Sequence, residues 1–239
     1  MISQNKFSDD RLEQMCCYCG DIPDTRDHVP SKVLLNDPFP ENLPVVPCCN
    51  TCNQDFSKDE EYFACLIECI VNGSAETVDL KREKIKRILS QRPALQKKLA
   101  TALVVNDEGS YFIVEGKRIE NVLLKLAKGH AQFDASSPLL GQPTHLVYKP
   151  LHTMTDEENE RFFSGPEIEI SPEVGSRLFF AISKVPGSSP FSVWHTVQDS
   201  VYAYLISSQI GRLSVRLVIS NFLAAEIIWD DNDPNLGIE

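Results

Sequence analysis

The sequence lacks long apolar runs, an apolar segment among its first residues and any cysteine beyond residue 69. Its 239 residues contain no uncharged apolar stretch of the length, about 18 residues, that a membrane-spanning helix requires. The first residues, MISQNKFSDDRLEQ, have no apolar core of the kind that a secretory signal needs. The sequence also has no internal repeat and no low-complexity tract. These absences predict a soluble, cytoplasmic protein with no membrane partner.

Composition and charge restrict the function further. Hydrophobic residues make up 42% and charged residues 24% of the chain, as in ordinary globular proteins, and the length suits one large domain or two small ones. A net charge of −11 is unfavourable for a protein that holds nucleic acid unaided. The charge is uneven, because residues 81–98 carry eight basic side chains and one acid, Glu83. This stretch is either a solvated helix face or a surface that follows phosphates; it has no aromatic residues, so contacts would be to the nucleic-acid backbone.

The order of predicted elements indicates an α+β fold in three parts. Residues 1–72 are rich in Cys, Pro, Asp and Asn and form a small module that needs a metal staple. Residues 73–132 form a basic helical middle, and residues 133–239 form a mainly antiparallel β C-terminal half of unknown role. Apolar periodicity predicts helices over 59–71, 79–89, 93–103 and 118–128. Strands are predicted over 110–115, 144–148, 177–185, 192–196, 201–207, 213–219 and 224–229.

All eight cysteines fall in the first part, which favours a metal site over a disulfide framework. Two Cys-x-x-Cys pairs each place two thiolates where they can grip one ion, and together they complete a tetrahedral zinc site. Cys17 and Cys48 lie next to these pairs and could in principle replace a neighbour. Four reduced cysteines packed in a core are disfavoured in so polar a segment. The predicted zinc ligands are Cys16, Cys19, Cys49 and Cys52.

Further motifs lie between and just after the two pairs. They are Asp27-His28-Val29-Pro30, Asn42-Leu43 and Cys49-x-x-Cys52-Asn53. In this combination residues 14–65 resemble the HNH nucleases, whose ββα-metal module often carries the same zinc-binding double Cys-x-x-Cys. The resemblance implies a small zinc-stapled ββα-metal (HNH) module at the start of the α+β chain.

The resemblance also implies a reaction, the metal-dependent hydrolysis of phosphodiester bonds in nucleic acid, with DNA favoured over RNA. His28 would take a proton from the attacking water, as a group with an ordinary pKa near ~6.5 can do at neutral pH. Asp27 and Asn53 would hold one Mg²⁺ or Mn²⁺, the hard cations that oxygen ligands suit. Asn42 would fix the loop that orients His28. Zinc would then be structural and the second ion catalytic.

Other interpretations stay open at this point. By itself, an Asp-His-Val tripeptide is more typical of a turn or a helix cap, and Asn53 could simply cap the helix that follows. The chain could be a non-catalytic zinc-binding adaptor, or a ribonuclease or toxin with the same site. The acidic balance suggests a nuclease recruited by a protein partner or activator through its C-terminal half, as in bacterial defence systems.

Overall fold

The computed structural model of the chain describes residues 9–106, 109–164, 173–174, 176–179 and 194–231. It separates into two compact units. The first unit is Met1–Gln54 together with Leu123–Glu239, and the second is Asp55–Val122. The predicted mixed α+β class is confirmed, with strands that pair antiparallel in every sheet of the described part. The division at residues 72 and 132 stays a prediction.

The first unit begins with a β-hairpin followed by a helix. Strand β1 (Thr25–His28) pairs antiparallel with β2 (Val45–Cys48), and helix α1 (Asn50–Asn72) follows directly. The helix begins well before the predicted residue 59, because Asp24 Oδ1 accepts a hydrogen bond of 2.6 Å from the backbone N–H of Asn50. The residue that caps this helix therefore comes from the segment before β1 rather than from the local sequence.

The rest of the first unit is built on a five-stranded antiparallel sheet in the order β5-β9-β8-β7-β6. Its strands are β5 (His145–Pro150), β6 (His195–Gln198), β7 (Tyr202–Gln209), β8 (Arg212–Ile219) and β9 (Leu223–Asp230). The strands predicted over 144–148, 201–207, 213–219 and 224–229 are confirmed. Of the predicted strand 177–185, residues 177–179 are helical instead, and 180–185 lie outside the described residues. Of the strand predicted over 192–196, residues 192–193 lie outside them too.

Helices cover both faces of this sheet. On one face, α5 (Asp156–Phe163) places Phe162 against Val218 and Ala224. On the other, the second half of α4 (Gly116–Ala135) stacks the His130 ring on Tyr204, with 3.7 Å between ring centroids. Alternate strand residues point to opposite faces, so a sheet covered on both sides is apolar on both. This arrangement explains why β8 and β9 are buried along most of their length.

The second unit contains the remainder of α1, α2 (Glu83–Gln91), α3 (Pro93–Ala102), the hairpin β3 (Leu103–Asn106) and β4 (Gly109–Phe112), and the start of α4. The helices predicted from the basic stretch are confirmed, although α2 begins later than residue 79 and β4 ends before residue 115. The large apolar side chains buried in its core include Tyr62, Phe63, Leu66, Ile85, Leu89, Leu99, Ile119 and Val122.

The basic side chains of α2 and α3 lie opposite that core. Arg87 and Lys97 are exposed, whereas Ile85, Leu89 and Leu99 are buried. Part of the basic charge is neutralised locally, since Lys86 Nζ lies 2.6 Å from Glu83 and Arg92 Nε lies 2.6 Å from Glu61.

Within the described ranges, none of the helices combines the length and the apolar character needed to cross a membrane.

Candidate metal centre and active site

The structure brings the sulfurs of Cys16, Cys19, Cys49 and Cys52 together, all within 4.8 Å of one another. The Sγ atoms of Cys19 and Cys49 are 3.7 Å apart. A tetrahedral ion with bonds of about 2.3 Å to sulfur would separate its ligands by about 3.8 Å. The four cysteines could therefore hold a metal ion, which is consistent with structural zinc.

Backbone geometry around the sulfurs is that of two tight knuckles. In the first, the N–H of Gly20 donates to the Cys16 carbonyl at 3.0 Å, and Gly20 has a φ of +84°, which glycine adopts without strain. In the second, the N–H of Cys52 donates to Cys49 Sγ at 3.4 Å. The second knuckle also contacts the first, because the N–H of Cys49 donates to Cys16 Sγ at 3.3 Å. A bound ion would thus tie the segment before β1 to the first turn of α1.

The thiols of the cluster are unequal. Burial raises the pKa of Cys16, but N–H donors from Cys49, Tyr18 and Cys19 outweigh it and lower the pKa to about 7. The pKa of Cys19 is raised to about 11: a backbone hydrogen bond from Asp21 lowers it, but partial burial and the neighbouring thiols Cys16 and Cys49 raise it more. The thiolate, and not the thiol, is the form that binds a metal ion, so Cys16 is the more readily available ligand of the two.

The two spare cysteines lie outside the sulfur cluster. Cys17 Sγ donates to the Lys128 carbonyl at 3.5 Å, and Cys48 Sγ donates to the Cys49 carbonyl at 3.2 Å. Both are fully buried, and burial raises the pKa of each thiol. They therefore behave as small apolar residues beside the cluster.

His28 occupies the last position of β1, opposite Val45 of β2. Its ring is half-buried, and Nδ1 is buried without a hydrogen bond in the described structure. Burial lowers the pKa of His28, and the positive charge of Lys32 lowers it further; Asp27 opposes both. The ring is therefore neutral at pH 7, the form that accepts a proton.

Asp27 is held by two buried partners, and both contacts fall on Oδ2. The Lys125 ammonium lies 2.6 Å from this oxygen, and the Tyr18 hydroxyl donates to it at 2.8 Å. The Lys125 side chain is 1% exposed and also donates to Ser31 Oγ at 3.0 Å. Asp27 and Lys125 therefore form a buried ion pair in which each member has a further hydrogen-bond partner, Tyr18 for the carboxylate and Ser31 for the ammonium.

The two asparagines of the predicted site lie near opposite ends of the hairpin. Asn53, in the first turn of α1, donates through Nδ2 to Thr25 Oγ1 at 3.4 Å, and Thr25 Oγ1 donates to the Cys48 carbonyl at 2.9 Å. Asn42 is exposed in the turn before β2. Asn53 therefore contacts the beginning of β1, whereas His28 stands at its end.

The predicted Mg²⁺ or Mn²⁺ ligands fit a divalent cation poorly. Asp27 and Asn53 supply the hard oxygen atoms that such an ion prefers. The Asp27 carboxylate, however, is already neutralised by an ammonium at 2.6 Å, which would repel a second cation. Adjacent strand residues also point to opposite faces, so Asp27 and His28 do not converge on one point. The metal roles of Asp27 and Asn53 remain predictions.

Sequence patterns missed the residues that surround Asp27. Lys125 lies in the helix predicted over 118–128, where a lysine is normally assigned to the exposed side. Its burial follows from the packing of α4, whose described residues from 125 to 135 are all buried. Tyr18, inside the first knuckle, is also buried. No local signal identifies either residue, because both partners of Asp27 are fixed by tertiary contacts.

Comparison of the chain with protein-family models, with curated proteins and with solved structures found no match.

Proposed function

We propose that the chain is an HNH-type endonuclease that hydrolyses phosphodiester bonds in nucleic acid, with DNA as the favoured substrate and His28 as the general base. The observation that supports it is the hairpin and helix that follow one another beside the four-cysteine cluster, with the half-buried His28 ring at the end of β1. The four cysteines would hold a structural Zn²⁺ that keeps this small module folded.

The chemistry assigned to His28 is proton transfer. Hydrolysis of a phosphodiester needs a water molecule made more basic and a negative charge stabilised on the phosphate. A neutral imidazole can take the proton, and the positive charge of Lys32, which lowers the pKa of His28, would also attract a phosphate group. Asn42 would act through the loop between β1 and β2. That loop is anchored on the large sheet, because Gln198 bonds both the N–H and the carbonyl of Asn36, at 2.8 Å and 2.9 Å.

A divalent ion such as Mg²⁺ or Mn²⁺ would neutralise charge on the scissile phosphate and on the leaving oxygen. Asp27 and Asn53 are the ligands that the resemblance implies, but the buried Lys125 ammonium beside Asp27 disfavours an ion there, and no step of the reaction is assigned to the ion. The basic helices α2 and α3 are the proposed contact for the nucleic-acid backbone, and the C-terminal sheet is the proposed contact for a protein activator.

A second candidate function is a non-catalytic zinc-binding adaptor. The ion pair between Asp27 and Lys125 favours it, because a module that has given up its catalytic ion can use the same carboxylate for stability. The two candidates differ in one respect that can be measured: only the endonuclease needs the His28 ring.

The test is a cleavage assay with the purified full chain and its His28→Ala variant. Supercoiled plasmid, single-stranded DNA and RNA are each incubated with Mg²⁺, Mn²⁺ or EDTA, and zinc content and circular dichroism are recorded for both proteins. His152→Ala is the matched control, since this histidine is exposed and lies in the short turn after β5. Cleavage by the wild type and by the control, but not by His28→Ala, supports the endonuclease. Equal cleavage by all three contradicts it, and cleavage of RNA alone selects the ribonuclease.

Folded, zinc-loaded protein that cuts none of the substrates favours the adaptor. A pull-down with DNA and RNA then distinguishes a nucleic-acid adaptor from a protein adaptor. The same preparation, assayed with proteins that copurify with the chain, tests the proposed activator.

A further inference from the structure

We infer that Asp27 is the buried counter-ion of Lys125, and that this pair holds α4 against the β1–β2 hairpin instead of leaving Asp27 to bind a divalent cation. The inference concerns the fold of the module and stands whether or not the chain cleaves nucleic acid.

The pair is fully engaged on both sides. Asp27 and Lys125 are 9% and 1% exposed, and their charged atoms lie 2.6 Å apart. Tyr18 supplies a second donor to the carboxylate, and Ser31 accepts a second hydrogen bond from the ammonium. A buried charge is tolerated when it is paired and hydrogen-bonded, and here each member satisfies the other. Removal of either one leaves an uncompensated charge in the interior.

A second set of contacts shows that the same face of α4 is built to lie against the hairpin. One turn after Lys125, the backbone carbonyl of Lys128 accepts a hydrogen bond from Cys17 at 3.5 Å. The next residue, Gly129, packs so closely that a Cβ atom on it would lie 2.6 Å from Val29 Cγ2. Val29 and Cys17 belong to the segments on either side of β1. The ion pair is therefore one of several contacts that dock α4 on the module.

This arrangement determines what an ion would meet at Asp27. A divalent cation bound to the carboxylate would sit beside an ammonium whose side chain is 1% exposed, and like charges so close together repel strongly in a poorly polar interior. Occupation by an ion would require the displacement of Lys125 and the opening of the α4 contact. We therefore expect the folded chain to keep Asp27 paired in the presence of Mg²⁺ or Mn²⁺.

The test is a double-mutant cycle on the full, zinc-loaded chain. The variants are Asp27→Asn, Lys125→Met and the double variant, and unfolding by urea is followed by the fluorescence of Trp194 and Trp229, which both belong to the first unit. Glu41→Gln and Lys117→Met are the matched controls, because they make the same charge changes at exposed positions. Each single variant should lower the equilibrium constant for folding by on the order of 100- to 1,000-fold. The equilibrium constant for folding of the double variant should fall far less than the product of the two single fold-changes.

A second measurement addresses the ion directly. Mn²⁺ is titrated into the wild type and into Asp27→Asn, and binding is followed by electron paramagnetic resonance. Unchanged Mn²⁺ binding in Asp27→Asn, or none in either protein, supports the inference. Tight Mn²⁺ binding to the wild type that is lost in Asp27→Asn overturns it, and so do single variants as stable as the controls. A loss of cleavage in His28→Ala leaves these outcomes unaffected, so the inference and the proposed function fail separately.

Discussion

The substitution Gly129→Ala tests how α4 packs, because it would raise the free energy of unfolding if Gly129 were exposed and should lower it if Gly129 packs against Val29. Alanine in a helix interior is favoured over glycine by about 1 kcal/mol, so an exposed Gly129 would be a site where alanine stabilises the protein. In the structure the added Cβ would lie 2.6 Å from Val29 Cγ2 and 3.0 Å from Val29 Cγ1, against about 3.5–4.0 Å for an ordinary contact. Val29 is 1% exposed and β-branched, so it cannot rotate away.

Forced overpacking of this kind typically costs about 1–3 kcal/mol. Because the clash is severe, we place its cost in the upper half of that range and expect a net loss of about 1–2 kcal/mol after the helix gain is subtracted. Urea unfolding followed by tryptophan fluorescence measures this value. The same substitution in a Val29→Ala background removes both Cγ contacts and leaves only a Cβ contact of 3.3 Å, so there most of the loss caused by Gly129→Ala should disappear. Stabilisation by Gly129→Ala in the wild-type background would refute the docking of α4 on the hairpin.

Three further predictions address other parts of the chain. The protein should hold one zinc per chain, and Cys49→Ala should lose the zinc and unfold the hairpin, since a small metal-stapled module folds with its ion. Elemental analysis and circular dichroism measure this, and a folded, zinc-loaded Cys49→Ala variant would contradict the ligand set. Glu68→Ala should lower the free energy of unfolding of the second unit by about 1–3 kcal/mol, because its carboxylate accepts hydrogen bonds from the backbone N–H groups of Lys81 and Arg82 at 2.8 Å and 2.9 Å. Urea unfolding measures this value, and an equal effect of Glu76→Ala, at an exposed position, would argue against this cause. The free energy of unfolding should decrease as the pH falls from 7 to 5, because burial lowers the pKa of His130, which faces Asp134, Tyr202, Tyr204 and His195, and the unfolded chain therefore binds the proton more readily. The variant His130→Gln should flatten this pH dependence, whereas His152→Ala, at an exposed position, should not.

The sequence predicts those features that depend on neighbouring residues. The spacing of Cys16 with Cys19 and of Cys49 with Cys52 identifies four sulfurs that the structure brings together. Apolar patterning likewise identifies α2, α3 and four strands of the large sheet, because the period of the apolar residues is a local property of an element.

Features fixed by distant contacts escape such patterns. The start of α1 depends on Asp24, which lies before β1 and caps the helix at Asn50. The environment of Asp27 depends on Lys125, almost a hundred residues away, and the helix that carries this lysine is buried by the large sheet on one side and the hairpin on the other. Combined with the cysteine pairs, the Asp-His motif therefore predicts a metal ligand, whereas the tertiary contacts of Asp27 are those of an ion pair.

The measurement that tests the central proposal most directly is the rate of plasmid cleavage by the wild type and by His28→Ala at equal zinc content. The proposal predicts that His28→Ala cleaves at least about 100-fold more slowly than the wild type, the usual contribution of a general base, while its folding is unchanged. Cleavage at the wild-type rate by folded His28→Ala would contradict the role of His28 and, with it, the proposed endonuclease.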